Sequence, residues 1–211
     1  YWMHRNKKRD DHLWVFGCWG GVKYADNAKY LFEYVNKNYP LIRAVWITSK
    51  TEIKDMVKNA GYEVYLSDTE TADRALRQAG VAFFTNSLND FGLQPSLNGA
   101  KICALFHGIG FKNELRELDN QHTLKAKLKA LKHTVYDLSY TDYIFTTSEF
   151  AKKKFYTQQY NAKLDSIVLT GQPRNDALFE NGQPYPAEKT ILYLRHFVKI
   201  KMADTFGKDY Q

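Results

Sequence analysis

Apolar runs and helix-like segments alternate along this chain from residue 13 onward, and this alternation restricts its fold more than any other feature. The apolar runs at residues 13–18 and 42–48 are each followed by a segment with helical periodicity, at residues 27–38 and 51–60. A strand followed by an amphipathic helix is typical of βαβ units, whose strands pair in parallel. The chain is therefore predicted to be an α/β protein with a Rossmann-like parallel sheet and flanking helices.

The same alternation predicts the remaining elements. Further strands are expected at residues 63–66, 81–85, 102–106, 143–147, 167–170 and 191–194, and further helices at residues 72–79, 122–140 and 148–160.

Local signals predict where the helices begin and end. Asp26 is expected to cap the first helix, Thr69 or Thr71 to start the third, and Gly80 to end the third. The first helix is expected to place one apolar face on the sheet. That face consists of Tyr30, Leu31, Tyr34 and Val35.

Changes in composition divide the chain into four predicted parts. Residues 1–12 form a basic segment, juxtamembrane or disordered, and residues 13–171 form the Rossmann-like domain. Residues 172–188 hold three prolines and are interpreted as a linker. Residues 189–211 are interpreted as the start of a second, truncated domain.

The net charge of +7 and the pI of about 9.2 favour anionic partners. Phosphates, anionic lipid and nucleic acid all satisfy that condition, but no nucleic-acid-binding motif is present, so nucleic acid is not expected. The predicted helix at residues 122–140 is amphipathic and rich in lysine. Such a helix either packs on the protein by its apolar side or contacts an anionic membrane surface, and both alternatives stay open.

The two cysteines, Cys18 and Cys103, lie far apart in the sequence and lack neighbours at metal-ligand spacing. We therefore expect buried thiols in a reducing compartment and no metal site. No run approaches the roughly 18–20 apolar residues that span a bilayer.

His107 follows the apolar run at residues 102–106 and precedes Gly108 and Gly110 in a glycine-containing turn. The carboxyl end of a buried parallel strand faces the ligand crevice of an open α/β sheet, so His107 is a candidate catalytic base. The two glycines allow a substrate to approach, and Lys112 supplies positive charge for a phosphate. A structural, hydrogen-bonded histidine is the alternative, and this local pattern does not decide between the two.

A second glycine-rich turn follows the first strand, where Gly17 allows a phosphate or another backbone to come close. Its spacing, Gly17 with Gly20 and Gly21, does not match the Gly-x-Gly-x-x-Gly fingerprint, so no nicotinamide cofactor is expected, and no other cofactor is predicted.

Two more strand ends carry candidate substrate-binding residues. Arg174 and Asn175 follow the strand at residues 167–170, where Arg174 is suited to bind a phosphate or, alternatively, to form a structural ion pair. Ser148 follows the strand at residues 143–147, where it is suited to face the crevice or to cap a helix.

Taken in order, these segments resemble the CDP-glycerol glycerophosphotransferase family of teichoic acid and capsule polymer enzymes. The matching segments are residues 14–17, 24–32, 106–108 with Lys112, 147–150 and 171–176. The resemblance implies the first, acceptor-side domain of a GT-B-like pair of domains, with the donor site mainly in the second. It implies that His107 removes a proton from the terminal hydroxyl of a lipid-linked or polymeric polyol-phosphate acceptor, which attacks CDP-glycerol and releases CMP. It further implies that the enzyme acts at the cytoplasmic face of a bacterial cell membrane.

The chain departs from the family pattern at two positions. Ile109 stands in place of the threonine that follows His-Gly, and residues 194–197 replace an Ala-Pro-Thr-aromatic segment. Two alternative functions therefore stay open: a GT-B sugar transferase that uses a nucleotide sugar, and a noncatalytic membrane-binding fragment.

Overall fold

The computed structural model describes residues 9–92, 97–108, 141–157 and 162–180. These residues form a seven-stranded, fully parallel sheet with the order β3-β2-β1-β4-β5-β6-β7. The strands are β1 (Asp10–Phe16), β2 (Arg43–Thr48), β3 (Val64–Leu66), β4 (Ala79–Phe84), β5 (Lys101–Ala104), β6 (Tyr143–Thr146) and β7 (Ile167–Leu169). The prediction of a Rossmann-like α/β fold is confirmed.

The strand order reverses beside β1. Val15 of β1 pairs with Val45 of β2 on one side and with Ala82 of β4 on the other. The chain first builds outward through β2 and β3, then returns to β4 and builds in the opposite direction. A crevice opens at such a reversal, outside the carboxyl ends of the strands.

Helices cover both faces of the sheet. They are α1 (Asp26–Asn38), α2 (Thr51–Asn59), α3 (Glu70–Gln78), a π-helical segment (Ala151–Thr157) and α4 (Ala177–Glu180), with short 3₁₀ turns at Trp19–Gly21, Leu88–Phe91, Leu164–Ser166 and Pro173–Asn175. Alternate strand residues point to opposite faces, which gives two hydrophobic cores. Val15 and Phe84 lie in the core that includes α3, whereas Phe16 and Phe83 stack at 4.9 Å in the core that includes α1.

The predicted apolar face of α1 was partly wrong. Tyr34 is exposed, while Ala28 and Phe32 are fully buried beside Val35. The tyrosine hydroxyl favours water, whereas a phenylalanine ring has no polar atom to solvate, so the helix is rotated to bury Phe32. The capping prediction for Asp26 was also wrong: Ala25 is the cap residue and makes no side-chain cap bond, and Asp26 is the first helical residue.

The prediction that Gly80 ends α3 was wrong, because Gly80 lies inside β4. The helix ends at Gln78, and Thr69 starts it as its cap, accepting a hydrogen bond from the Ala72 N–H. Gly80 is needed because a Cβ atom there would lie 2.6 Å from the Asp10 carbonyl oxygen and 2.7 Å from the Asp11 Cα. Close packing of the start of β1 on β4 therefore selects glycine.

Substituting Gly80→Ala is expected to lower the free energy of unfolding by about 1–3 kcal/mol, because the new methyl group meets backbone rather than a side chain that can move. Urea denaturation followed by circular dichroism measures the change. Gln78→Ala, at the exposed end of α3, is the control. An unchanged unfolding midpoint for Gly80→Ala would show that the two backbones are not packed this closely.

Other predicted boundaries differ by a few residues. β1 begins at Asp10 rather than residue 13, β5 ends at Ala104 rather than beside His107, and the helix predicted at 148–160 contains the π-helical segment Ala151–Thr157. The described residues up to Glu180 belong to one compact unit, which includes part of the predicted linker.

Several predictions fall outside the described residues. They concern residues 1–8, Ile109, Gly110, Lys112, the basic helix at 122–140, the strand at 191–194 and the segment at 194–197 that departs from the family pattern. Among the helices that are described, none combines the length and apolar character needed to cross a membrane.

Candidate functional site

The site lies at the carboxyl edge of the sheet, where the turns after β1, β5 and β7 meet the start of α1. His107 follows β5 by three residues and is exposed. Arg174 lies in the 3₁₀ turn Pro173–Asn175, after β7, and packs against the start of α1. Residues far apart in the sequence are therefore brought to one edge.

Two side chains hold the backbone of the His107 turn. The Arg174 Nη2 donates to the His107 carbonyl oxygen at 2.8 Å, and the Asn27 Nδ2 donates to the Phe106 carbonyl oxygen at 2.7 Å. Gly108 has φ +141°, a conformation that L side chains rarely adopt, and its position lies near the Arg174 guanidinium. Glycine at 108 thus serves the backbone path of the turn.

Arg174 is joined to α1 by an ion pair. Its Nη1 lies 3.0 Å from Asp26 Oδ1, and its backbone N–H donates to Asn27 Oδ1 at 3.2 Å. The Asp26 side chain is only 5% exposed, so this pair is shielded from water on the carboxylate side. The geometry shows a structural ion pair for Arg174, and its assignment to phosphate binding stays a prediction.

Trp19 forms one wall of the site. Its Nε1 donates to Asp26 Oδ2 at 3.1 Å, and its ring centroid lies 5.0 Å from that of His107, with the ring planes tilted by 36°. The Lys23 Nζ lies 4.7 Å from the Trp19 ring centroid. The imidazole therefore packs against an aromatic ring, and the Lys23 cation lies over that same ring.

Backbone strain is concentrated here. Within the described ranges, the non-glycine residues with positive φ are Trp19 at 49°, Asp26 at 61° and Phe106 at 47°. Each such residue costs about 1–3 kcal/mol, and residues of this kind gather at functional sites. Trp19 contacts the His107 ring, Phe106 precedes His107 in the chain, and Asp26 is linked to His107 through Trp19 and Arg174.

Gly17 faces another backbone rather than open space. A Cβ atom at Gly17 would lie 2.7 Å from the Asp90 carbonyl oxygen. The glycine therefore lets the turn Leu88–Phe91 pack on the end of β1, and its assignment to substrate binding stays a prediction.

Asp90 is a fully buried residue that the sequence did not mark. Its Oδ1 accepts from the Gly20 N–H at 2.7 Å, and its Oδ2 accepts from the N–H groups of Thr85 and Asn86, both at 2.9 Å. One carboxylate thus joins the turns after β1 and β4. In the sequence Asp90 is only an acidic residue in a short loop, and most residues of that kind are exposed to solvent, so its burial could not be predicted.

Ser148 and Asn175 do not contact the histidine. Ser148 Oγ accepts from the Ala151 N–H at 3.2 Å, which makes it a helix cap. Asn175 is exposed, and its backbone N–H donates to the Gln172 carbonyl. Their roles in substrate binding stay predictions. Within the part of the chain that the structure describes, no cluster of three or more histidine, cysteine or carboxylate side chains is suited to bind a metal.

Burial keeps both cysteines protonated. It raises the pKa of Cys18 to about 11, helped by the charges of Asp90 and Asp26, and raises the pKa of Cys103 to about 12. Because the folded pKa exceeds the ordinary value of about 9, the stability linked to these protons is complete below pH 9. It is lost as the pH rises from 9 through the folded values.

We expect neither cysteine to react with iodoacetamide at pH 8 in the folded protein, because both thiols are buried and protonated. Intact-mass spectrometry before and after addition of urea measures this, and two alkylations are expected only after unfolding. Alkylation of Cys18 at the rate of a free thiol without urea would show that the core behind Trp19 is open.

Comparisons with known proteins agree with this fold. The profile of the family described as CDP-Glycerol:Poly(glycerophosphate) glycerophosphotransferase matches residues 1–191. A teichoic acid poly(glycerol phosphate) polymerase from Staphylococcus epidermidis is 28% identical over 202 residues, which are 92% of this chain and 27% of that protein. The chain therefore spans only about a quarter of this curated relative.

Solved structures of the wall teichoic acid polymerase TagF show the same fold. One matches with a TM-score of 0.63 at 18% identity, over 82% of this chain and 41% of that chain. A TagF variant with a histidine replaced by asparagine, soaked with CDPG for 15 minutes, matches with a TM-score of 0.62 over 84% of this chain and 44% of that chain. The chain therefore covers less than half of each of these TagF chains. The family profile matches nine-tenths of this chain, which therefore belongs to the CDP-glycerol:poly(glycerophosphate) glycerophosphotransferase family.

Proposed function

We propose that this chain is the acceptor-side part of an enzyme that transfers glycerol phosphate, or a related polyol phosphate, from CDP-glycerol to a lipid-linked or polymeric acceptor in teichoic acid or capsule synthesis. The observation that carries the proposal is the position of His107. Its imidazole is exposed at the carboxyl edge of the sheet, while its backbone is held by Arg174 and its ring lies against Trp19. Membership of the family supports the choice of donor.

In this reaction the neutral imidazole of His107 accepts the proton of the acceptor's terminal hydroxyl. The resulting oxygen nucleophile attacks the β-phosphorus of CDP-glycerol, so that a new P–O bond forms. The bond between this phosphorus and the oxygen that bridges to CMP breaks, and CMP leaves. Gly108 leaves the approach to the imidazole free of a side chain, and Lys112 and Gly110 are proposed to face the acceptor phosphates.

Donor specificity tests the proposal against the nucleotide-sugar alternative. The full-length protein that contains this chain is incubated with acceptor and either CDP-glycerol or a panel of UDP-sugars, and nucleotide release is followed by chromatography. We expect CMP from CDP-glycerol and no acceptor-dependent UDP. Transfer from a UDP-sugar alone would replace this function with that of a sugar transferase.

We further propose that the enzyme works at the cytoplasmic face of the membrane, where a lipid-linked acceptor and a cytosolic nucleotide donor meet. The net charge of +7 favours an anionic surface. Flotation of the full-length protein with anionic and with neutral vesicles tests this. Preferential recovery with anionic vesicles is expected, and equal recovery would remove the electrostatic argument.

A further inference from the structure

Asp26 connects the two groups that hold His107. One carboxylate oxygen, Oδ1, pairs with Arg174 at 3.0 Å, and Arg174 in turn donates to the His107 carbonyl at 2.8 Å. The other oxygen, Oδ2, accepts from the Trp19 indole at 3.1 Å, and the Trp19 ring contacts the imidazole at 5.0 Å. The backbone and the ring of His107 are thus both supported through one side chain.

The burial of Asp26 makes this arrangement stiff. Its side chain is 5% exposed, whereas that of Arg174 is 37% exposed. Charge-assisted hydrogen bonds are shorter and stronger than neutral ones, and they are screened less when one partner is buried. A carboxylate with both oxygens engaged also has little freedom to rotate.

Neighbouring groups reinforce the same contact. Asn27, which is fully buried, donates to the Phe106 carbonyl and accepts from the Arg174 N–H. Asp26 itself is held at φ 61° and accepts from the Asn27 N–H at 2.9 Å. A positive φ is unfavourable for a residue with a side chain, and such residues gather at functional sites. The contacts of its carboxylate therefore account for aspartate at position 26 better than helix formation does.

We propose that Asp26 is a positioning residue for catalysis: it orients the His107 imidazole through Trp19 on one side and Arg174 on the other. The proposal rests on the base role of His107 given above. Because Asp26 acts on His107 through Trp19 and Arg174, its contribution is to the rate of the chemical step. A catalytic group that is displaced by about 1 Å can lose on the order of 10²-fold in rate.

The test is Asp26→Asn in the full-length protein. The amide keeps the size of the side chain but removes the charge that pairs with Arg174, so kcat is expected to fall by about 10- to 100-fold with the KM for CDP-glycerol unchanged. The matched control is Glu63→Gln, which weakens another carboxylate–guanidinium pair at the opposite edge of the sheet. There Glu63, just before β3, lies 2.6 Å from Arg43, the first residue of β2. The control is expected to retain the wild-type kcat.

A second readout does not depend on activity. The ring current of Trp19, at 5.0 Å between ring centroids, is expected to shift the His107 Hε1 proton resonance, which is assigned by its loss in His107→Gln. Asp26→Asn is expected to move this resonance toward its random-coil position, and Glu63→Gln is not. If Asp26→Asn does not fold, two other variants test the same contacts. Trp19→Phe keeps an aromatic ring but removes the indole N–H that donates to Asp26. Arg174→Lys keeps the charge but removes the guanidinium that bonds to both Asp26 and the His107 carbonyl.

The outcomes distinguish the positioning role of Asp26 from the base role of His107. Loss of kcat together with movement of the resonance supports the proposal. A wild-type kcat, or an unmoved resonance, overturns it. If His107→Gln itself keeps full activity, then the base role fails, and the resonance still shows whether Asp26 holds the ring.

Discussion

Replacing His107 with alanine in the full-length protein is expected to lower the rate of glycerol phosphate transfer by about 10²–10⁴-fold, the range that general-base catalysis contributes. The alcohol nucleophile needs a group that takes its proton as the new P–O bond forms. The exposed imidazole at the carboxyl edge of the sheet is positioned for that step. Initial rates of CMP release at saturating donor and acceptor measure the loss.

The fold is expected to survive this substitution, because an exposed side chain is removed and the hydrogen bond from Arg174 goes to the His107 backbone. The free energy of unfolding should change by no more than about 0.5–1 kcal/mol. His12→Ala is the matched control, since His12 is also exposed but lies near the start of β1, at the opposite edge. Turnover close to wild type in a folded His107→Ala protein would exclude His107 as the base.

The largest loss of stability is expected from Asp90→Ala. The substitution removes the acceptor of the N–H groups of Gly20, Thr85 and Asn86; the bond to Thr85 is buried and the other two are partly buried. Each unsatisfied donor costs about 1–3 kcal/mol, partly offset because a buried charge is also removed. A decrease of about 3–5 kcal/mol in the free energy of unfolding is expected from urea denaturation.

Two variants sharpen this measurement. Asp90→Asn keeps one acceptor oxygen but turns an NH₂ group toward backbone donors, so an intermediate loss is expected. Asp55→Ala, on the exposed side of α2, is the control for removing a carboxylate and should change stability by less than about 0.5 kcal/mol. A loss below about 1 kcal/mol for Asp90→Ala would show that the two turns are not joined by its carboxylate.

The sheet could be predicted from the sequence because its signal is local. Buried parallel strands read as short apolar runs, and glycine or proline near their ends marks the turns. The same locality identified His107, which follows such a run. It also led to an error at Gly80, since glycine after a helix is usually a cap, whereas here the constraint comes from Asp10 on a different strand.

The contacts that organise the site could not be predicted in this way. Asp26 and Arg174 are 148 positions apart, and the sequence around either residue does not indicate that the two form a pair. Asp26 resembled a helix cap, and Asp90 resembled a solvated loop residue. Their roles come from the topology, which brings the turns after β1, β4, β5 and β7 to one edge of the sheet.

The central claim is that the protein containing this chain forms a phosphodiester from CDP-glycerol at the site of His107. Phosphorus NMR of the full-length protein with CDP-glycerol and an acceptor ending in glycerol phosphate tests it most directly. The account predicts that the diphosphate signals disappear while CMP and a new phosphodiester signal grow in equal amounts, and that His107→Ala slows both equally. A diphosphate that persists, or that yields only free glycerol phosphate with no new phosphodiester, would contradict the account.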